Sequence, residues 1–221
     1  MHSNFKMIKH RTILFIALSS SFLYMSCRRV ETNYYPNGQP ESEISYKHGK
    51  LDGISVWYYL HGRKSLEITY INGLKQGEMI RFFRNGKIES IDNYQNDSLH
   101  GKSLRYYEDG NLLSEFSYKN GKKDGIIKHY FSDGSLFFTG QYSNDQYNGH
   151  WEYFDEEGFK TGEGNFVNGK GILTVYDNRG NITKRVHYIN SVVYKEENYG
   201  LEKTLFYENG RIVNIENYKN K

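Results

Sequence analysis

From Tyr34 onward the chain alternates apolar and polar residues with a period of two, in short runs separated by Asn-Gly or Asp-Gly pairs. Lys64–Tyr70 shows the pattern. Lys64, Leu66, Ile68 and Tyr70 share one parity, while Ser65, Glu67 and Thr69 hold the other. Leu112, Ser114, Phe116 and Tyr118 repeat it against Leu113, Glu115 and Ser117. Successive side chains of a strand point to opposite faces, so each run predicts a strand with one mainly apolar face and one mainly polar face that meets water. The Asn-Gly and Asp-Gly pairs predict tight hairpin turns, because both residues tolerate positive φ. Residues 54–59 and 64–70 then form one hairpin, and Asn72-Gly73 leads into the next.

The hairpins recur. A glycine follows an aromatic pair at Gly38, Gly62, Gly86, Gly110, Gly134, Gly158, Gly180 and Gly210, with five spacings of 24, then 22 and 30. A second column, Gly53, Gly77, Gly101, Gly125 and Gly149, keeps the spacing of 24 and is read as preceding each new strand. A third is aromatic: Tyr46, Tyr70, Tyr94, Tyr118, Tyr142, Phe166, Tyr188 and Tyr218. Three columns in one period predict about eight units of roughly 24 residues over 34–221. The predicted fold is all-β: an elongated, twisted and curved single-layer antiparallel meander of tandem hairpins. Sixteen strands at about 4.8 Å would extend roughly 75 Å. Equivalent tyrosines lie two strands apart, about 9–10 Å, beyond direct stacking. Tyr58, Phe82, Tyr106 and Tyr130 are expected to fill the gaps and complete a continuous aromatic spine. The last units depart from the period, with about six extra residues in 191–205, and read as a cap on the array.

Composition fits a thin sheet. Tyr occurs 21 times and Gly 22 times against two prolines, and mean hydropathy is −0.78. A net charge of +3 argues against nucleic acid as a partner. The single cysteine, Cys27, excludes an intrachain disulfide. It follows a basic start (Lys6, Lys9, Arg11) and an apolar run, 12–25, too short to span a bilayer comfortably as a helix. Ser26-Cys27 closes a segment that resembles a bacterial lipoprotein signal. That resemblance implies a signal peptide over 1–26, lipidation at Cys27, a tether over 27–33 and a membrane-anchored place in the cell envelope, at the outer membrane or a periplasmic or surface face.

No catalytic constellation, cofactor loop or metal motif stands out. The histidines beyond the leader (His48, His61, His100, His129, His150, His187) show no close ligand spacing, so a metal site would have to be assembled across strands. Glycines fall at turns and show no phosphate-loop spacing. Trp57 and Trp151 stand close to the aromatic pairs and mark a candidate binding surface for a sugar chain or an extended peptide, with sheet packing as the competing role.

Tyr34-Tyr35-Pro36-Asn37-Gly38, Tyr58-Tyr59-Leu60-His61-Gly62, Phe82-Phe83-Arg84-Asn85-Gly86 and Tyr106-Tyr107-Glu108-Asp109-Gly110 carry a family resemblance. So do the intervening Tyr46-Lys47-His48-Gly49-Lys50-Leu51-Asp52-Gly53 and Tyr118-Lys119-Asn120-Gly121-Lys122-Lys123-Asp124-Gly125. Together they resemble the MORN repeat, in the bacterial variant found in tandem in YwqK-type proteins. The resemblance implies a non-enzymatic scaffold or binding module with protein or glycan partners. Some bacterial members carry an antitoxin label, which makes a toxin-sequestering or immunity protein the alternative. Such arrays are also linked to phospholipid contact, for which the turn lysines Lys47, Lys50, Lys75, Lys119, Lys122 and Lys123 are suited.

Overall fold

The computed structural model describes residues 28–217. The segment read as a signal peptide and Cys27 lie outside the described residues, as does Tyr218. Nineteen strands follow in order: β1 (Arg28–Tyr34), β2 (Pro40–Lys47), β3 (Lys50–Leu51), β4 (Gly53–Tyr58), β5 (Lys64–Ile71), β6 (Leu74–Phe82), β7 (Ile88–Gln95), β8 (Ser98–Tyr106), β9 (Leu112–Lys119) and β10 (Lys122–Lys123). The series continues with β11 (Gly125–Tyr130), β12 (Leu136–Ser143), β13 (Gln146–Phe154), β14 (Lys160–Val167), β15 (Lys170–Tyr176), β16 (Ile182–Ile189), β17 (Val192–Asn198), β18 (Lys203–Glu208) and β19 (Arg211–Asn217). β3 and β4 are two parts of one leg against β2, and β10 and β11 are two parts of one leg against β9. Each leg pairs antiparallel with its neighbour in the chain, giving one open sheet in meander order. Residues 28–33, expected as a tether, belong to β1, which pairs with β2 from Arg28↔Lys47 to Tyr34↔Pro40.

The two ends of the sheet use different turns. At one end, eight two-residue turns put both residues at positive φ, from His48-Gly49 to Asn209-Gly210. Their φ values, 48° to 53° and then 63° to 91°, suit the right-handed twist of the flanking strands. Two of these turns are Asn96-Asp97 and Asn144-Asp145, which no Asn-Gly search finds. The aspartates repay the strained position by accepting from Lys75 N and Lys123 N at 2.8 Å, in the preceding unit. At the other end, the loops after the aromatic pairs are longer, and only the glycine is left-handed. Gly62 N donates to Tyr59 O at 2.8 Å and Tyr59 N to Arg63 O at 2.7 Å. Gly210 therefore belongs with the two-residue turns, which accounts for the anomalous spacing before it. The second glycine column is also different from expectation. Gly77 lies inside β6, with φ 90°, where the pairing with β5 skips from Ile68↔Met79 to Tyr70↔Lys75. It is a bulge that lets one strand run on, rather than a residue preceding a strand.

Directly opposed residues form rows across the sheet. One row on the tyrosine face reads Ser55, Ile68, Met79, Asp92, Ser103 and Phe116. The apolar stripe is interrupted at its centre. Asp92 and Ser103 are 4% and 0% exposed, and Asp92 is held by Ser103 Oγ at 2.5 Å and Arg105 Nη1 at 2.9 Å. On the opposite face at the same place the row reads Val56, Glu67, Ile80, Ile91, Leu104 and Glu115. The apolar side of the sheet thus changes faces in mid-array, and the parity expected to meet water is partly buried there.

The main core lies further along. Trp151, Phe166 and Ile127 are 2%, 4% and 4% exposed and pack with Phe116, Phe138, Tyr142, Tyr147, Tyr153, Leu173 and Tyr188. Glycines make room for it. A Cβ at Gly140 would lie 2.1 Å from the Trp151 ring. Gly171 sits opposite both Phe166 and Tyr188, so those two column members meet at 5.4 Å between centroids despite being two legs apart. The spine expected along the whole sheet is instead a cluster. Tyr58, one of the aromatics expected to complete it, has another role. Tyr58 OH donates to Glu43 Oε2 at 3.0 Å on the opposite face. The second residue of the pair joins units: the hydroxyls of Tyr35, Tyr59 and Tyr107 donate to the carbonyls of Tyr58, Phe82 and Tyr130 at 2.7, 2.6 and 2.9 Å.

Gly140→Ala should force the Trp151 ring aside and destabilise the chain by about 1–3 kcal/mol, read by chemical denaturation. Tyr59→Phe, which removes a single inter-unit hydrogen bond, should cost about 1 kcal/mol in the same assay.

Candidate functional site

Chemistry concentrates on β13–β17, where the repeat is least regular. On the tyrosine face, Leu173, Val175, Val186, Val193, Tyr188 and Tyr207 line an open groove of about 730 Å³. Its polar element is the ion pair of Lys184 with Glu196, at 3.8 Å. Burial pushes the Tyr188 hydroxyl up to about 12, so it remains a neutral hydrogen-bonding group at the groove wall. Open apolar concavity with few polar groups is the usual make-up of a recognition site.

The other face of the same strands carries charge. His150 opposes Asn165, and Glu152 opposes Glu163, across β13 and β14. Side chains two apart share a face, so these four form a square. Lys160 sits between the carboxylates, with Nζ 2.7 Å from Glu152 Oε1 and 2.9 Å from Glu163 Oε2. This contact holds both carboxyls below their usual range and raises the lysine. Tyr176 OH donates to Glu163 Oε1 at 2.9 Å, and His150 Nδ1 lies 3.0 Å from Asn165 Oδ1. His150, Glu152 and Glu163 present donor atoms all within 4.8 Å of one another. Among the described residues, this is the group of three or more such donors that could hold a metal ion. His150 and Glu152 are two residues apart on β13, and strand register brings in Glu163 from β14. Asn165 also lines a second cavity, of about 560 Å³, with Ile172, His187 and Tyr194.

The tryptophans proposed from sequence are not brought together. Trp57 is half-buried opposite Ser42 and Leu66 in β2 and β5. Trp151 is at the centre of the core, its Nε1 donating to Gln141 O and Asn148 O at 3.2 and 3.1 Å. It cannot serve as an exposed stacking platform. Two of the turn lysines lie over rings: Lys75 over Tyr94 at 4.9 Å and Lys123 over Tyr142 at 5.0 Å. His61 stacks on Tyr59 at 5.4 Å, and His129 on Phe138 at 5.2 Å. Burial lowers the pKa of His129 and, as the largest influence, that of His187.

Five segments match the MORN repeat variant. They are residues 30–48, 75–96, 99–120, 123–144 and 201–220. No curated protein gives a match. The charged square falls in 145–200, between matched segments, and so do the groove walls except Tyr207 and Gly210, which lie in the last matched segment.

The depressed histidines give a pH dependence of known sign. Their stabilisation is present above the unfolded-state value of 6.5 and is lost as pH falls through the lower folded-state values. Thermal midpoints should therefore drop between about pH 7 and pH 5. A His129→Phe/His187→Leu variant should show a shallower drop over the same range.

Proposed function

We propose that the chain is a non-enzymatic binding module, exported and tethered to a membrane of the cell envelope through a lipid on Cys27. MORN-type repeats of this kind are typically non-catalytic, and their contribution is surface. The observation that carries the binding role is the open apolar groove of β15–β18 at the irregular end of an otherwise regular array. The groove walls combine Tyr188 and Tyr207, which keep the repeated tyrosine place before a two-residue turn, with Leu173, Val175, Val186 and Val193. An apolar floor beside a Lys184–Glu196 pair suits an apolar side chain of an extended protein segment, or the apolar face of a sugar ring.

The tether is supported by the basic, apolar and Ser26-Cys27 order of the leader. It is tested by growing cells with a clickable fatty acid: Cys27→Ala should abolish incorporation, and undiminished labelling would remove the anchor from the proposal. The groove is tested with a photo-crosslinking residue at Val192, which is 56% exposed at its rim. Crosslinked partner or glycan should appear and should be lost with Val193→Glu. A crosslink that survives Val193→Glu would place binding elsewhere, and a toxin as the captured species would turn the module into an immunity protein.

A further inference from the structure

We propose that His150, Glu152 and Glu163 form a divalent transition-metal site, of the kind zinc takes, whose place the Lys160 ammonium holds as an internal cation. Two carboxylates directly opposed on paired strands repel each other. The structure relieves that repulsion with a positive charge at one point, 2.7 and 2.9 Å from the two oxygens. A cation position is therefore built into the strand register.

The histidine separates this arrangement from a plain ion-pair network. His150 Nδ1 lies 3.0 Å from Asn165 Oδ1, and in the tautomer that donates there Nε2 keeps its lone pair. That lone pair faces Glu152 Oε1 at 3.6 Å. An imidazole fixed through its other nitrogen is the usual second-shell device of a metal-ligating histidine. Tyr176 gives Glu163 a comparable support through Oε1, leaving Oε2 for a cation. One imidazole and two carboxylates suit zinc, with bonds of about 2.0–2.2 Å, so the donors need to close in only modestly from their present spread. Lys160 is exposed, so its long side chain can swing out into solvent.

Competition between lysine and metal makes the inference testable in the full chain with zinc chloride alone. Lys160→Met should bind one zinc ion at least tenfold more tightly than the wild type in titration calorimetry. Without metal it should have a lower thermal midpoint at neutral pH, and zinc should restore it. Adding His150→Ala to Lys160→Met should weaken zinc at least tenfold. Equal zinc affinity of the wild type and Lys160→Met, or binding indifferent to His150→Ala, would overturn the site. Should Lys160→Met fail to fold, the wild type carries the test. Its zinc binding should be lost in His150→Ala and in Glu152→Gln, and a wild type that binds no zinc at millimolar concentration overturns the proposal.

Discussion

A single-layer sheet has no second layer to bury its side chains against. Every other feature of this molecule answers to that constraint. Burial has to come from neighbours on the same face, which favours wide rings that reach across a strand and small residues that let them lie down. Trp151 over Gly140, and Phe166 beside Gly171, are the clearest instances. Hydrogen bonds between units supply the rest. Tyrosine hydroxyls join one hairpin to the next at one end of the sheet, and turn amides and aspartates do so at the other. Stability is then built from nearest-neighbour contacts, as in other repeat arrays.

The same constraint lets the two faces trade roles. Around β7 and β8 the tyrosine face holds Asp92, Ser103 and Arg105, while Ile80, Ile91 and Leu104 gather on the other side. No packed layer enforces a single apolar face, so local pairing decides which side is dry. Toward β13–β17 the tyrosine face becomes a dense aromatic core that continues into a groove, and the other face becomes a charged square. Two unlike surfaces are carried back to back by the same strands.

The MORN-type match covers segments at both ends and in the middle of the array and leaves 49–74 and 145–200 outside. Residues 145–200 keep the hairpin geometry, and Lys160 with Glu163 repeats the Lys64–Glu67 pair, but His150 stands where earlier units have Ile54, Glu78, Lys102 and Ile126. A repeat scaffold tolerates this because each unit needs only its neighbours. Changes in one unit are felt locally, so function can settle there without disturbing the array.

The hairpin period, the open meander and the parity of Leu66, Ile68 and Tyr70 were legible in the amino-acid sequence, since alternation and positive-φ turn residues are local properties of the chain. The departure from regularity near the end was legible in the same way. Only the tertiary structure decided the rest. The assembly of His150, Glu152 and Glu163 depends on the register between β13 and β14, which no spacing along one strand reveals. The burial of Trp151 depends on glycines in two neighbouring strands, and the change of apolar face depends on what each residue meets across the sheet. Local sequence sets where a strand turns and which way each side chain points, but cross-strand partners determine whether that side chain ends in a core, a groove or a charged site.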